Sequence, residues 1–186
     1  MEMKPKSKMK LLKRVLIGVA ILLAVPLVVA LFIRTDFAVE REVIINKPKS
    51  DVFNYVRYLK NHSNFSKWEA MDPQMKKEYR GVDGTVGFVS AWESDNQDVG
   101  KGEQEIKRIT EAERIDVEIR MREPFQSTDP AYMTTETVAE NQTRVKSGYF
   151  GKMNYPTNLL CPFIAEKIGK DMETGLNSLK AVLEKQ

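Results

Sequence analysis

The side chains best suited to proton-transfer chemistry are one carboxylate and two phenols on neighbouring predicted strands: Glu136, Tyr132 and Tyr149. A carboxylate that faces the interior must be hydrogen-bonded or have its pKa raised, and a raised pKa is what a general acid or base requires. Glu136 is therefore the one candidate for a catalytic residue. A shift of one residue in the strand register would instead place it in solvent, so both orientations remain open.

The chain contains a single histidine, His62, and a single cysteine, Cys161. One cysteine excludes an internal disulfide, and one histidine supplies too few ligands for the usual zinc sites. His62 lies in a segment rich in Asn and Ser, and we predict it to be an exposed loop or helix-end residue. The sequence also lacks a glycine-rich phosphate loop. We therefore expect neither a metal site nor a cofactor.

Short strands separated by turn residues predict an antiparallel meander after a first strand at 37–45. In the strand 115–122, apolar residues alternate with charged ones, which is typical of a sheet with one buried and one solvated face. The predicted strands of the meander are 77–80, 86–92, 101–109, 115–122, 131–139 and 144–152.

The turn between the last two predicted strands determines which of their side chains share a face. A two-residue turn at Asn141-Gln142 places Val138 opposite Val145. The same register brings four further residues to the inner face of the sheet: Tyr132, Glu136, Ser147 and Tyr149.

A second predicted register places Ser90 opposite Gln104. It brings Phe88 and Trp92 to the inner face as well. The resulting wall is mostly apolar with a few polar groups, which is the pattern of small-molecule sites. The alternative is that these side chains only fill a core. The predicted ligand-binding residues are Phe88, Ser90, Trp92, Gln104, Ile119, Tyr132, Glu136, Ser147, Tyr149, Ile164 and Ile168.

Helical periodicity is found on both sides of the meander. Ser50 is predicted to be the N-cap of a short helix, and a second short helix follows at 61–67. Apolar residues then recur every three or four positions from a start between Thr157 and Phe163 to about Glu184. This spacing predicts one long C-terminal helix with a continuous apolar stripe to lay on the sheet.

The uncharged residues 15–33 follow a basic leader, residues 1–14, that carries six basic side chains and one acidic one. Such a helix spans about 28 Å, close to the hydrocarbon thickness of a bilayer. We expect a single-pass signal anchor with its N-terminus in the cytoplasm. The domain, residues 34–186, would then lie on the outer (periplasmic or extracytoplasmic) side of the cell membrane. The alternative is a cleaved signal peptide, which has a shorter apolar region.

Charge is divided unevenly along the chain. Of the 29 basic and 26 acidic side chains, seven basic and one acidic lie in residues 1–35, which leaves 22 basic and 25 acidic, or a net charge of −3. Nucleic-acid binding depends on neutralising phosphates with basic side chains. We therefore expect no nucleic-acid partner.

Six short segments follow one another in an order that is informative as a set. Together with the succession of one strand, two short helices, a meander and a long helix, they make the chain resemble the START-like superfamily. This superfamily is also called SRPBCC, or polyketide cyclase/dehydrase and lipid-transport proteins. The segments are VIINKP (43–48), DVF (51–53), FSKW (65–68), GTVG (84–87), GKGEQ (100–104) and TRV (143–145).

The resemblance covers residues 37–183, nearly the whole part after the apolar segment. It implies an α+β helix-grip fold, in which the last helix crosses a curved antiparallel sheet of six to seven strands. A cavity would be enclosed between the sheet and that helix.

The anchor, the implied cavity and the missing catalytic set favour a membrane-tethered module that binds a lipid or another hydrophobic small molecule. One alternative is a protein-interaction domain with a protein partner, as in the co-chaperone branch of the same superfamily. The other is a cyclase- or hydrolase-like enzyme that uses Glu136 together with Tyr132 or Tyr149. The sequence does not name the ligand, since apolar walls discriminate poorly among compounds of similar size.

Overall fold

The computed structural model describes residues 5–185, with side chains from Met9 onward, so the first four residues of the predicted leader lie outside it. A membrane-length helix precedes a sheet with short helices on one side. In chain order the elements are α1 (Pro5–Ala30), β1 (Asp36–Ile45), α2 (Lys49–Val56), a first 3₁₀ helix (Leu59–Asn64), α3 (Lys67–Met71), β2 (Lys76–Arg80), β3 (Val89–Glu93), β4 (Lys101–Thr110), β5 (Arg114–Glu123), β6 (Ser127–Ala139), β7 (Gln142–Lys152), a second 3₁₀ helix (Thr157–Leu160) and α4 (Cys161–Glu184).

The seven strands form one antiparallel sheet in the order β1-β7-β6-β5-β4-β3-β2. The predicted α+β class, the meander and the long C-terminal helix are confirmed. Alternation along the strands gives the sheet an inner face, which α4 covers, and an outer face in solvent. On the outer face Arg120 of β5 forms ion pairs of 2.8 Å with Glu103 and Glu105 of β4.

The helix α4 lies across the inner face close to β1, because this position buries its apolar stripe against the sheet. Gly169 permits a close approach, since an added Cβ there would be 2.4 Å from the Arg41 guanidinium. Further along, Leu179 and Leu183 are buried together with Ile45 and Val145 of the sheet. Each such side chain contributes roughly 1.5–3 kcal/mol through its burial.

The predicted register of β3 with β4 is confirmed, but that of β6 with β7 is wrong. Ser90 opposes Gln104 as expected. In the second pair, Val145 opposes Thr135 instead of Val138, and the turn is Glu140-Asn141 with a register shift near Val138. The pairing differs from the prediction by three residues, an odd number. The side chains of β6 therefore point to the opposite faces from those predicted.

The apolar N-terminal helix α1 ends at Ala30, three residues before the predicted end of the span. Within residues 5–185 it is the one helix that is long and apolar enough to cross a membrane, and a signal sequence has the same properties. Its residues from Met9 to Val29 are exposed, and only the last residue, Ala30, is buried against the domain.

Candidate functional site

A cavity of about 380 Å³ lies between the inner face of the sheet, α4, α3 and the first 3₁₀ helix. Most of the side chains around it are apolar. Of the residues predicted to bind a ligand, those that border this cavity are Ser90, Trp92, Gln104, Ile119, Tyr132, Ser147, Tyr149 and Ile168.

The cavity exists because the inner face is only partly covered. Val117, Ile119 and Met121 of β5 and Met133 of β6 point inward and border the cavity, but each is only half-buried. In a filled core, such side chains would be buried against 6–12 neighbouring residues. The missing contacts leave an apolar surface that a small molecule can cover.

Two of the predicted apolar site residues lie outside the cavity wall. Phe88 is buried in the core, where its ring stacks on Tyr79 with the centroids 6.1 Å apart. Ile164 is half-buried on α4, one turn before Ile168, and does not border the cavity. The alternation and the helical stripe identified their face correctly, but neither pattern shows how far the solid core extends.

Glu136, the predicted acid or base, lies on the outer face and is 65% exposed. It pairs with Arg144 at 3.0 Å, so the inward orientation is wrong. Tyr132 borders the cavity from the same strand, but its phenol extends to the outer face and hydrogen-bonds to Glu40. The structure therefore does not assemble Glu136 and the phenols into one proton-transfer set.

The carboxylate on the inner face of β6 is Asp129, which the sequence prediction missed. Asp129 is 4% exposed and accepts hydrogen bonds from Ser127 Oγ at 2.6 Å and Tyr149 Oη at 2.7 Å. Burial and this hydrogen bond raise the pKa of Tyr149, so its phenol stays protonated and acts as a donor. The two-residue spacing of Asp129, Ala131 and Met133 was the signal available in the sequence.

A second polar group borders the cavity beside the first 3₁₀ helix. Contrary to the prediction, His62 is half-buried there, with one ring nitrogen 3.2 Å from the Val56 carbonyl oxygen. Burial lowers the pKa of His62, so the imidazole is neutral at pH 7. The neighbouring Lys77 and Glu69 form an ion pair. Among the residues that the structure describes, no group of three or more His, Cys, Asp or Glu side chains is placed to hold a metal.

Comparison with known proteins finds no matching family model and no matching curated protein. Solved structures do match. Norcoclaurine synthase from Thalictrum flavum, in complex with dopamine and hydroxybenzaldehyde, is 12% identical with a TM-score of 0.58, and 81% of this chain and 88% of that chain are covered. Ara h 8.0201 is 14% identical with a TM-score of 0.54, and the coverage is 81% and 99%.

The Aha1 dimer from Colwellia psychrerythraea is a third neighbour, 14% identical with a TM-score of 0.55, covering 80% of this chain and 96% of that chain. Identities this low show the fold alone. The three neighbours share the α+β arrangement in which a long C-terminal helix crosses an antiparallel sheet. This chain therefore shares their helix-grip fold.

Proposed function

We propose that this protein is a membrane-tethered binding module that holds a lipid or another hydrophobic small molecule between the sheet and α4. The observation that carries the proposal is the half-buried apolar lining formed by Val117, Ile119, Met121 and Met133. The cavity, at about 380 Å³, falls in the size range of small-molecule sites. The bound dopamine and hydroxybenzaldehyde of the norcoclaurine synthase neighbour support a ligand role for this fold.

The polar groups on the wall suit a ligand that is apolar over most of its length. Ser90 and Gln104, which oppose each other on β3 and β4, and Ser147, on β7, provide neutral hydrogen-bonding groups on the inner face. A few such groups in an apolar pocket orient a ligand and add specificity. We therefore expect a mostly apolar molecule that carries a small number of hydrogen-bonding groups.

The tether is the helix α1, which we propose to be a signal anchor over residues 15–33 that follows a cytoplasmic leader, residues 1–14. The domain, residues 34–186, then lies outside the cytoplasm. The exposed apolar side chains along α1 support this assignment, since they have no partner within the described chain. A protein that remains in the membrane pellet after a carbonate wash, with its domain open to external protease, is the expected result. Release into the supernatant would contradict the tether.

The ligand is tested by extracting the purified full-length protein with organic solvent and identifying what is released by mass spectrometry. The matched variant is Ala131→Trp, because Ala131 borders the cavity on the inner face of β6. The control is Thr128→Trp, an exposed position three residues away on the outer face of the same strand. We expect a hydrophobic compound from the unmodified protein and the control, and little from Ala131→Trp.

The same samples also define a negative result. Equal amounts of extracted compound from Ala131→Trp and Thr128→Trp would mean that the compound does not occupy the cavity. If Ala131→Trp does not fold, Ala131→Leu is the milder variant, and it should lower the yield in proportion to the volume added. Binding of the fluorescent probe 1-anilinonaphthalene-8-sulfonate to the folded variants gives an independent measurement of the available apolar surface.

A further inference from the structure

The strand register brings several connections to the end of the sheet where α1 joins it, which we name the proximal end. Asp36 at the start of β1 pairs with Lys152 at the end of β7. Across the rest of the sheet, Met121 pairs with Ser127, Lys101 with Glu123, and Lys76 with Glu93. The β3–β4 and β5–β6 connections, residues 94–100 and 124–126, therefore lie at the proximal end.

The helix α4 also begins at the proximal end. It follows the second 3₁₀ helix, in which the buried Asn158 donates hydrogen bonds to the carbonyl oxygens of Ala30 at 2.7 Å and Ile33 at 2.8 Å. At the other end of α4, Glu184 accepts a hydrogen bond from the backbone N–H of Asn46, just beyond β1. The two hydrogen bonds of Asn158 hold the segment before α4 against the end of α1.

The space under the last turns of α4, at the distal end, is filled, and the cavity lies beside this filled core toward the proximal end. Leu179 and Leu183, in the last turns of α4, are buried in the core with Ile45 and Val145. The cavity extends from Ile115 and Leu176 toward the proximal end, where it is bordered by Trp92, Val99, Met121, Tyr149 and Ile168. The cavity therefore reaches toward the end of the domain that α1 adjoins.

Large apolar side chains are exposed around this end. Phe32 is 85%, Phe125 79% and Phe163 73% exposed to solvent. They belong to three separate segments that the fold brings to the proximal end: the residues after α1, the β5–β6 connection and the first turn of α4. Together with their exposed apolar neighbours they form what we name the apolar rim: Leu31, Phe32, Phe125, Tyr155, Leu160 and Phe163.

We infer that the apolar rim rests in the outer leaflet of the bilayer that α1 crosses, so that the cavity takes its ligand directly from the lipid phase. This inference rests on the proposed tether and names the partner of the same site. The rim continues from the end of an apolar helix, and exposed aromatic and leucine side chains next to a span are typical of residues in the membrane interface. Clustered exposed apolar residues otherwise mark a liability in a protein surrounded by water. The ligand class is then a lipid or a lipophilic molecule dissolved in the leaflet.

The docking is tested with spin labels on the full-length chain reconstituted in phosphatidylcholine vesicles, in a Cys161→Ala background. Labels at Phe125→Cys and Phe163→Cys report the rim, Val25→Cys reports the α1 span, and Glu140→Cys reports the distal end. The collision rate of each label with dissolved oxygen is compared with its collision rate with a water-soluble nickel chelate. The ratio of the two rates measures how deeply the label lies in the bilayer. We expect both rim labels to be shielded from nickel and accessible to oxygen, as the Val25 label is, whereas the Glu140 label behaves in the opposite way.

Two other outcomes separate the inference from the tether. Rim labels that match Glu140 while Val25 is immersed would overturn the docking and leave the tether intact. A Val25 label that nickel reaches freely would overturn the tether and the docking together. Circular dichroism of each labelled variant, compared with that of the unlabelled protein, shows whether the label has unfolded the domain.

The route of the ligand is tested by measuring how fast a dansyl-labelled fatty acid moves from vesicles into the protein. Its arrival is detected by fluorescence energy transfer from tryptophan, because Trp92 borders the cavity. The double variant Phe125→Ser/Phe163→Ser should slow the transfer severalfold with the equilibrium binding unchanged. The control Val138→Ser removes an exposed apolar side chain near the distal β6–β7 turn. Equal transfer rates in the three proteins would overturn uptake from the leaflet. Absence of equilibrium binding in the unmodified protein would instead overturn the proposed cavity ligand.

Discussion

Tyr149 donates a hydrogen bond to the buried Asp129 across the inner face of β6 and β7, with the two oxygens 2.7 Å apart. The pair lies beside a ligand-sized cavity, and Tyr149 forms part of the cavity wall. A phenol with a raised pKa that already donates to a carboxylate is suited to holding the wall in position. It is poorly suited to removing a proton from a ligand at neutral pH.

Tyr149→Phe keeps the ring on the wall and removes one of the donors to Asp129. Leaving a buried acceptor without one of its donors costs about 1–3 kcal/mol. We therefore expect the free energy of unfolding, measured with urea, to fall by an amount in that range. The control is Tyr132→Phe, whose phenol bonds to the exposed Glu40 on the outer face, and its loss should be below about 1 kcal/mol. Equal losses in the two variants would mean that the Asp129 pair is not effectively buried.

Glu136→Gln should change little, because the side chain is 65% exposed and its partner Arg144 also lies on the outer face. Ion pairs of this kind contribute roughly 0–1 kcal/mol. We expect a change in the free energy of unfolding within about 0.5 kcal/mol and unchanged binding of 1-anilinonaphthalene-8-sulfonate. Asp129→Asn, measured in parallel, should be the more destabilising of the two carboxylate variants. The reverse order would contradict the orientation of β6.

His62 should make the stability depend on pH just below neutrality. Burial lowers the pKa of His62 in the folded protein from its ordinary value of 6.5, so the unfolded chain takes up a proton at a higher pH than the folded one. The free energy of unfolding therefore falls as the pH decreases from about 7 to the pKa of the folded state, and this contribution is constant below it.

The variant His62→Asn has no imidazole to protonate and should lose this dependence. Urea unfolding at about pH 7.5, 6.5 and 5.5 covers the window, because carboxylates titrate mostly at lower pH. The unmodified protein should show a steeper decline across the window than the variant. Identical slopes would mean that His62 has the same pKa in the folded and unfolded chains.

Asn158→Ala should loosen the connection between α1 and the domain. It removes the side-chain amide that donates to the carbonyl oxygen of Ala30, the last residue of α1, and to that of Ile33 just beyond it. Trypsin cleavage after the exposed Arg34, followed in reconstituted vesicles, should become faster. Ser178→Ala, near the far end of α4, removes one hydrogen bond to the Thr174 carbonyl and should leave the rate unchanged. Equal cleavage rates would show that Asn158 does not restrain this segment.

Hydrophobic periodicity identified the long elements of this protein, but not all of the short ones. The predicted helix 61–67 is a 3₁₀ helix, Leu59–Asn64, followed by α3, and Ser50 lies inside α2, after its N-cap Pro48. Alternation at 115–122 corresponds to β5, the apolar spacing after Thr157 corresponds to α4, and the uncharged residues 15–33 lie mostly in α1. These patterns are local, since each arises from the repeat of one helix or strand. The register of β3 with β4 was also predicted correctly, and it brought Ser90, Trp92 and Gln104 to the cavity wall.

The pairing of β6 with β7 was determined only by the tertiary structure. The residues 132–138 contain several threonines and no sharp alternation, so either face of β6 fitted an inner wall. The irregularity near Val138 uses one additional residue, and together with the different turn it sends Glu136 outward and Asp129 inward. A bulge of this kind depends on packing of the whole sheet and leaves no local signature in the sequence.

The sequence by itself determined an apolar leading helix, a one-sided sheet and a long helix with one apolar stripe, because each pattern repeats within a single element. Only the tertiary structure determined how far α4 and the sheet fill the space between them. Leu179 and Leu183 close the distal end, while Met121 and Ile168 border a cavity near the end of α1. That difference depends on distances between elements far apart in the chain, which no local periodicity encodes.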